Sequence, residues 1–263
     1  MAIQKITLIG AGRVATQLGI CLAQKQKTIV QVYSRTYQSA KELAVLTQSE
    51  AINNISNLNL ESDLYIISVL DDAIAEIAAQ LNLHDKLVVH TSGSVPMNTI
   101  SSVGENYGVF YPLQTFAKDK SIDFSNIPIC IEGSNTETET QLIALAREIS
   151  TDVRLINSEQ RLLIHIAAVF ANNFTNFMYL MGEEILSNAG VSFDILLPLI
   201  NETVKKTEHA LPHSCQTGPA ARGDKKIIEK HLNMLKSQPD KYELYKHISK
   251  YILEHFKNKN QHQ

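Results

Sequence analysis

Residues 5–23 read KITLIGAGRVATQLGICLA: an apolar, β-branched run stops on two glycines and then resumes with apolar residues at helical spacing. A strand that passes through such a turn directly into a helix is the opening unit of an open α/β sheet. The motif is G-x-G-x-x-A. Gly10 turns the chain out of the strand, Gly12 lets the backbone approach a diphosphate, and Ala15 keeps the helix close to the sheet. The first helical turn then offers unpaired N–H groups and a partial positive charge to the phosphates. Gly10, Ala11, Gly12, Arg13 and Val14 are therefore the expected phosphate-binding residues. The alternative is an ordinary strand–helix turn that binds nothing.

The same alternation continues. Strands are expected at Ile6–Ile9, Ile29–Tyr33, Leu64–Val69, Lys86–Thr91, Gly108–Tyr111, Ile127–Ile131 and Val153–Ile156. Helices are expected between them, at Val14–Gln24, Gln38–Thr47, Asp72–Leu81 and Glu137–Ile149. Runs such as LYIISV and KLVVH are apolar on both faces, which suits a mostly parallel sheet covered by helices on each side. After residue 157 the period changes and no strand pattern follows. One long helix is expected from Ser158, its N-cap, to Gly190. Further helices are expected at Phe193–Ala210, Gly223–Leu235 and Asp240–Lys257, with a frayed tail over 257–263. The fold class is α/β: a doubly wound Rossmann domain over 1–157, followed by an all-helical domain over 158–263.

Composition narrows the function. The 263 residues carry a formal charge of −3 and no basic run, so nucleic acid is not an expected partner. Cys21, Cys130 and Cys215 stand far apart, without metal-ligand spacing, and no metal is expected. A strand at the start of the sequence, and no secretory leader, is expected. Its longest apolar segment, 162–181, contains His165, Asn172, Asn173, Thr175 and Asn176, too polar for a bilayer core. A cytoplasmic protein that binds neither membrane nor nucleic acid is expected.

The second strand distinguishes between cofactors. An NAD site carries an Asp or Glu near its end to hold the ribose 2′-hydroxyl. Here the strand ends VQVYSRT. Ser34, Arg35 and Thr36 supply two hydroxyls and a planar guanidinium, a set suited to a 2′-phosphate and hence to NADP(H). The alternative for Arg35 is a plain solvated side chain. Val69 and Leu70 fall where a loop would pass over the ribose and nicotinamide. Asp71 or Asp72 is expected to cap the next helix. His90 either touches the nicotinamide ribose or is satisfied by nearby backbone.

Four stretches carry a resemblance: GAGRVA at 10–15, HTSGS at 90–94 with YPLQTF at 111–116, HIAAVFANNF at 165–174, and TGPAARGD at 217–224. With them the chain resembles the 6-phosphogluconate/β-hydroxyacid dehydrogenase superfamily, which includes pyrroline-5-carboxylate reductases. It is most similar to a branch of NADP oxidoreductases with a Rossmann-like domain followed by a helical domain of unknown function. The resemblance implies that fold, a nicotinamide cofactor and a homodimer formed through the helical domain, in many relatives with exchange of that domain. β-Hydroxyacid dehydrogenases place a catalytic Lys at the start of the long helix. This sequence has Arg161 there, which cannot act as a general acid near neutral pH.

His165 lies one turn further on. At 100° per residue, Asn172 falls about 20° and Asn173 about 80° from it around a regular helix. Either these are satisfied polar groups in packing, or His165 is the proton donor or orienting residue and Asn173 binds the substrate. In TGPAARGD, Thr217 could donate from its hydroxyl and Arg222 could clamp a carboxylate or phosphate. Alternatively, Asp224 caps a helix and pairs with Arg222. By analogy with pyrroline-5-carboxylate reductases, Thr217 and Arg222 lie on the substrate side. Gln114 could hydrogen-bond the substrate, whereas Tyr111 and Phe116 are expected to wall the cleft as packing residues. The expected activity is NADP(H)-dependent hydride transfer to or from a small, anionic metabolite. A sensor or assembly protein that binds NADP(H) without turnover is the alternative.

Overall fold

The computed structural model describes residues 2–117 and 122–257. The expected frayed tail lies, beyond residue 257, outside the described residues. Contacts divide the chain into two compact units, Met1–Ala171 and Asn172–Gln263. The change of secondary-structure period at residue 157 comes earlier in the chain than this division.

The first unit is built on one eight-stranded sheet in the order β3-β2-β1-β4-β5-β6-β7-β8. The strands are β1 Lys5–Ile9, β2 Thr28–Tyr33, β3 Glu50–Ile52, β4 Leu64–Ile67, β5 Leu87–His90, β6 Tyr107–Pro112, β7 Ile129–Gly133 and β8 Val153–Leu155. Only β6 and β7 pair antiparallel; the other pairs are parallel. All seven expected strands form. The additional β3 has three residues, EAI, too short to leave a periodic signature.

Four helices cover the sheet: α1 Arg13–Gln24, α2 Tyr37–Thr47, α3 Asp71–Gln80 and α4 Thr136–Arg147. Strand alternation sorts the core into two layers. Ile6, Leu8, Leu64 and Ile66 join Leu18 and Leu22 of α1 and Leu142 of α4. Ile9, Tyr65, Ile67 and Val88 join Ile74 and Ile77 of α3. Burial of β4 and β5 at every position is what a sheet with two covered faces requires.

Helix α5, Ser158–Ala168, lies near the end of the first unit. Its N-cap is Asn157, not Ser158. Asn157 accepts from the Gln160 N–H at 2.9 Å, and the Gln160 side chain accepts from the Asn157 N–H at 3.3 Å. The expected single long helix is interrupted by a π-helical turn at Val169–Phe174, and α6 then runs Thr175–Asn188. The π turn invalidates the angles computed for Asn172 and Asn173, because both assumed a regular α period.

The rest of the second unit comprises a 3-10 turn at Phe193–Leu196, then α7 Leu197–His209, α8 Pro212–Cys215, α9 Pro219–Arg222, α10 Lys225–Leu235 and α11 Pro239–Lys257. No strand occurs there among the described residues. Among the described residues no helix is long and apolar enough to cross a membrane.

Candidate functional site

The sheet order reverses between β1 and β4, so the carboxyl ends of those strands open a crevice. It has a volume of about 790 Å³. Its walls include the turn after β1, the end of β2, the start of α3, the loop after β5, and Tyr111, Gln114 and His165.

The two glycines of the first turn do different work. Gly10 has φ +123°, and a Cβ there would lie 2.1 Å from the Ser68 carbonyl oxygen. That close approach of β1 to β4 requires glycine. Gly12 has an ordinary φ of −79°, and a Cβ would meet nothing within 4 Å. The fold itself does not demand glycine there; the space it leaves belongs to the crevice. The first turn of α1 has neither a side-chain cap nor an acidic residue. Its N–H groups are thus available to an anion. Ala11, Arg13 and Val14 also line the crevice. Ala15 is fully buried between helix and sheet, as its place in the motif requires.

At the end of β2, Ser34 and Arg35 line the crevice and Thr36 does not. Thr36 is the residue before α2, and its N–H donates to Ser34 Oγ at 3.3 Å. Arg35 is exposed, and no acid lies beside it in sequence. Ser39, unremarkable in sequence, also lines the crevice, brought there by the first turn of α2.

Val69 and Leu70 lie on the rim, Leu70 with 75% of its surface exposed. The N-cap of α3 is Leu70 rather than either aspartate. Asp71 instead accepts from the Ser94 hydroxyl. Ser92 Oγ accepts from the N–H groups of Ser94 and Val95, both at 3.1 Å. The loop after β5 is therefore held by its own serines.

His90 is not brought to the crevice. It is fully buried, and its Nδ1 accepts from the Ser92 N–H at 3.2 Å. Burial, and next the Arg161 guanidinium, push its pKa down to about 4. A neutral, backbone-bound histidine supports the loop from beneath.

The polar pair in the crevice is Tyr111 with His165. Tyr111 Oη lies 3.2 Å from His165 Nδ1, and the rings meet edge-on at 68°. Gly93 closes over them: a Cβ would be 2.7 Å from His165 Nδ1 and 2.9 Å from Tyr111 Oη. Burial pushes the Tyr111 phenol up to about 12. Tyr111, expected to wall the cleft as a packing residue, does line it but turns its hydroxyl to His165; an aromatic in a strand leaves no sequence mark of where its hydroxyl points. Phe116 does pack, stacked on Phe124 at 5.7 Å. Gln114 lines the crevice, its side-chain oxygen accepting from the Thr115 N–H at 2.8 Å.

Arg161 is anchored away from reaction chemistry. It is 1% exposed and pairs with Glu132, which also accepts from the Ser158 N–H at 2.9 Å and hydroxyl at 2.7 Å. Its Nη2 donates to the Val95 carbonyl at 2.6 Å.

Asn173, Thr217 and Arg222 belong to the second unit. Thr217 lines an apolar cavity there of about 300 Å³, beside Gly218 at φ +102°. Asp224 caps α10, accepting from the Ile227 N–H at 3.2 Å. Arg222 is exposed and makes no ion pair among the described residues, so of the alternative reading the Asp224 cap forms and the pairing with Arg222 does not. Among the described residues no cluster of three metal-ligating side chains occurs.

Fold and crevice together define an open α/β protein of the dinucleotide-binding type. A Rossmann-like domain matches residues 1–113, and a domain of unknown function, DUF2520, matches residues 127–252. A crystal structure from Bacteroides fragilis, described as a putative NADP oxidoreductase, is 44% identical, with a TM-score of 0.90 over 96% of this chain and 98% of that one. The chain belongs to the same family, a Rossmann-like domain followed by DUF2520. A protein from Thermotoga maritima shares the fold at 23% identity, with a TM-score of 0.71 over 97% of this chain and 99% of the other. So does an imine reductase from Myxococcus stipitatus in complex with NADP+, at 15% identity and a TM-score of 0.69 over 98% and 94%. No curated protein matches the chain.

Proposed function

We propose that the crevice binds NADP(H) and that the protein is an NADP(H)-dependent oxidoreductase. The observation that carries this is the pairing of two features in one crevice. One is an uncapped helix N-terminus beside open space at Gly12; the other is Ser34 and Arg35 at the end of β2, where an acid would repel a 2′-phosphate. The B. fragilis relative, described as a putative NADP oxidoreductase, supports the reading.

Gly10 to Val14 hold the diphosphate, Arg35 and Ser34 the 2′-phosphate, and the loop at Val69 and Leu70 covers the ribose. The cofactor supplies the hydride chemistry; the protein supplies orientation and electrostatics. His165 serves as proton donor or orienting hydrogen-bond donor to a small, anionic substrate. Gln114 recognises that substrate from the wall of the crevice.

The protein works as a cytoplasmic homodimer joined through the helical unit. That unit exposes Ile195, Leu199, Leu211, Met234 and Tyr251, each more than half accessible, as an interface between copies would need. Sedimentation at micromolar concentration is expected to give a dimer.

A second reading, cofactor binding without turnover, is favoured by the burial of Arg161 where β-hydroxyacid dehydrogenases place a lysine. NADPH absorbance followed across 2-oxo acids, 3-hydroxy acids and cyclic imines separates the two. Turnover that is lost in His165→Ala while NADPH still binds supports the enzyme. Tight NADPH binding with no turnover on any substrate supports the sensor.

A further inference from the structure

We infer that Tyr111 is a positioning residue whose hydroxyl donates to Nδ1 of His165, fixing the neutral imidazole in the tautomer that carries its proton on Nε2. This deepens the proposed function and rests on it for the role of His165.

Three observations converge. The Tyr111 hydroxyl and His165 Nδ1 are 3.2 Å apart, within hydrogen-bond reach. Among the described residues that hydroxyl has no other hydrogen-bond partner, and neither does the imidazole. If Nδ1 carried the proton, it would donate to the phenol oxygen and leave the tyrosine O–H without a protein acceptor. With the proton on Nε2, the O–H and the Nδ1 lone pair satisfy each other and only the Nε2–H is left without a protein partner, whereas the other tautomer leaves both the O–H and the Nε2 lone pair unmet. Burial holds the phenol protonated well above neutral pH, so it is a donor throughout the working range.

Gly93 shows that the pair is enclosed rather than incidental. A single methyl there would press on Nδ1, on Tyr111 Cζ at 2.8 Å and on Oη at once. Gly93 is buried in a loop fixed by the Ser92 and Asp71 hydrogen bonds. The loop thus limits the freedom of both rings at their point of contact.

The consequence is directional. Histidine offers one donor and one acceptor when neutral, and which nitrogen does which is set by the bond at the other. Tyr111 occupies the acceptor and leaves an N–H at Nε2 for a substrate heteroatom. A phenylalanine at 111 would keep the ring packing but release the choice of tautomer.

The test uses the full-length protein labelled with 15N-histidine, recorded at about pH 8, where an ordinary imidazole is neutral. His165→Gln identifies the signals. Long-range 1H–15N correlation is expected to show Nδ1 as the unprotonated nitrogen in the unsubstituted protein and a mixture of tautomers in Tyr111→Phe. Gly93→Ala, which keeps both groups but parts them, is expected to give the same mixture. Affinity for NADPH should stay within about twofold in Tyr111→Phe while kcat on any accepted substrate falls about tenfold or more. A protonated Nδ1 in the unsubstituted protein, or an unchanged spectrum in Tyr111→Phe, overturns the inference. Failure to bind NADPH would overturn the cofactor reading instead, since the tautomer is read without cofactor.

Discussion

Arg161 and Glu132 form an ion pair in which the guanidinium is 1% and the carboxylate 15% exposed. The pair ties the first turn of α5 to β7, and the same guanidinium reaches the Val95 carbonyl in the loop after β5. One buried cation thereby fixes three segments, among them the helix that carries His165.

Glu132→Gln would leave the Arg161 charge buried and uncompensated. Breaking such a pair costs roughly 3–5 kcal/mol, more than the pair itself contributes. Chemical denaturation should show that loss. A change under about 1 kcal/mol would mean that Arg161 finds another partner or reaches water.

The two glycines of the first turn should respond in opposite ways. Gly12→Asp meets open space in the folded protein, so thermal stability is expected to stay nearly unchanged while NADPH fluorescence enhancement disappears. Gly10→Ala drives a methyl into the Ser68 carbonyl at a positive φ and should destabilise the fold by more than about 2 kcal/mol. Equal effects on folding and binding in both variants would refute the division of labour.

Arg35→Glu is expected to invert coenzyme preference. A charge-assisted bond to a 2′-phosphate is worth roughly 1.5–3 kcal/mol, so NADPH affinity should fall about tenfold to a hundredfold. NADH affinity should hold or improve. Calorimetric titration of both cofactors decides it; equal losses for both would show that Arg35 does not read the 2′ position.

His90 sets an acid limit on stability. Its pKa falls from 6.5 in the unfolded chain to about 4 in the fold. Above pH 6.5 both states are neutral and its contribution is complete. As pH falls from 6.5 towards 4 the unfolded chain takes up a proton that the fold refuses. Stability should drop across that window by roughly 3 kcal/mol. Urea midpoints measured through it should slope in the unsubstituted protein and flatten in His90→Gln, whatever the overall stability of that variant. An equal slope in both would exclude His90 as the source.

Much of the fold was legible before any coordinates. The alternation of strands apolar on both faces with amphipathic helices dictated a covered parallel sheet. The G-x-G-x-x-A turn placed its mouth, and the residues at the end of β2, where no acid occurs, placed one of its walls. These are local signals: period, turn chemistry and charge order survive in a linear string because neighbouring residues produce them. Three-residue β3 and the π turn at Val169–Phe174 were not legible, the first because it is too short to show a period and the second because helical spacing continues on both sides of it.

The candidate site divides along the same line. Gly10 to Val14, Ser34 and Arg35 fall on the crevice as the sequence suggested. The sequence by itself determined the architecture and which turn and strand-end residues meet at the mouth of the sheet. Tertiary structure alone decided that His90 is a buried support, that Arg161 is an anchor, and that Tyr111 meets His165 beneath Gly93. Residues 93, 111 and 165 come from a loop, a strand and a helix far apart in the chain. Which atom of a side chain faces which is fixed by packing across the sheet, and packing between distant elements leaves no periodic trace in a single sequence.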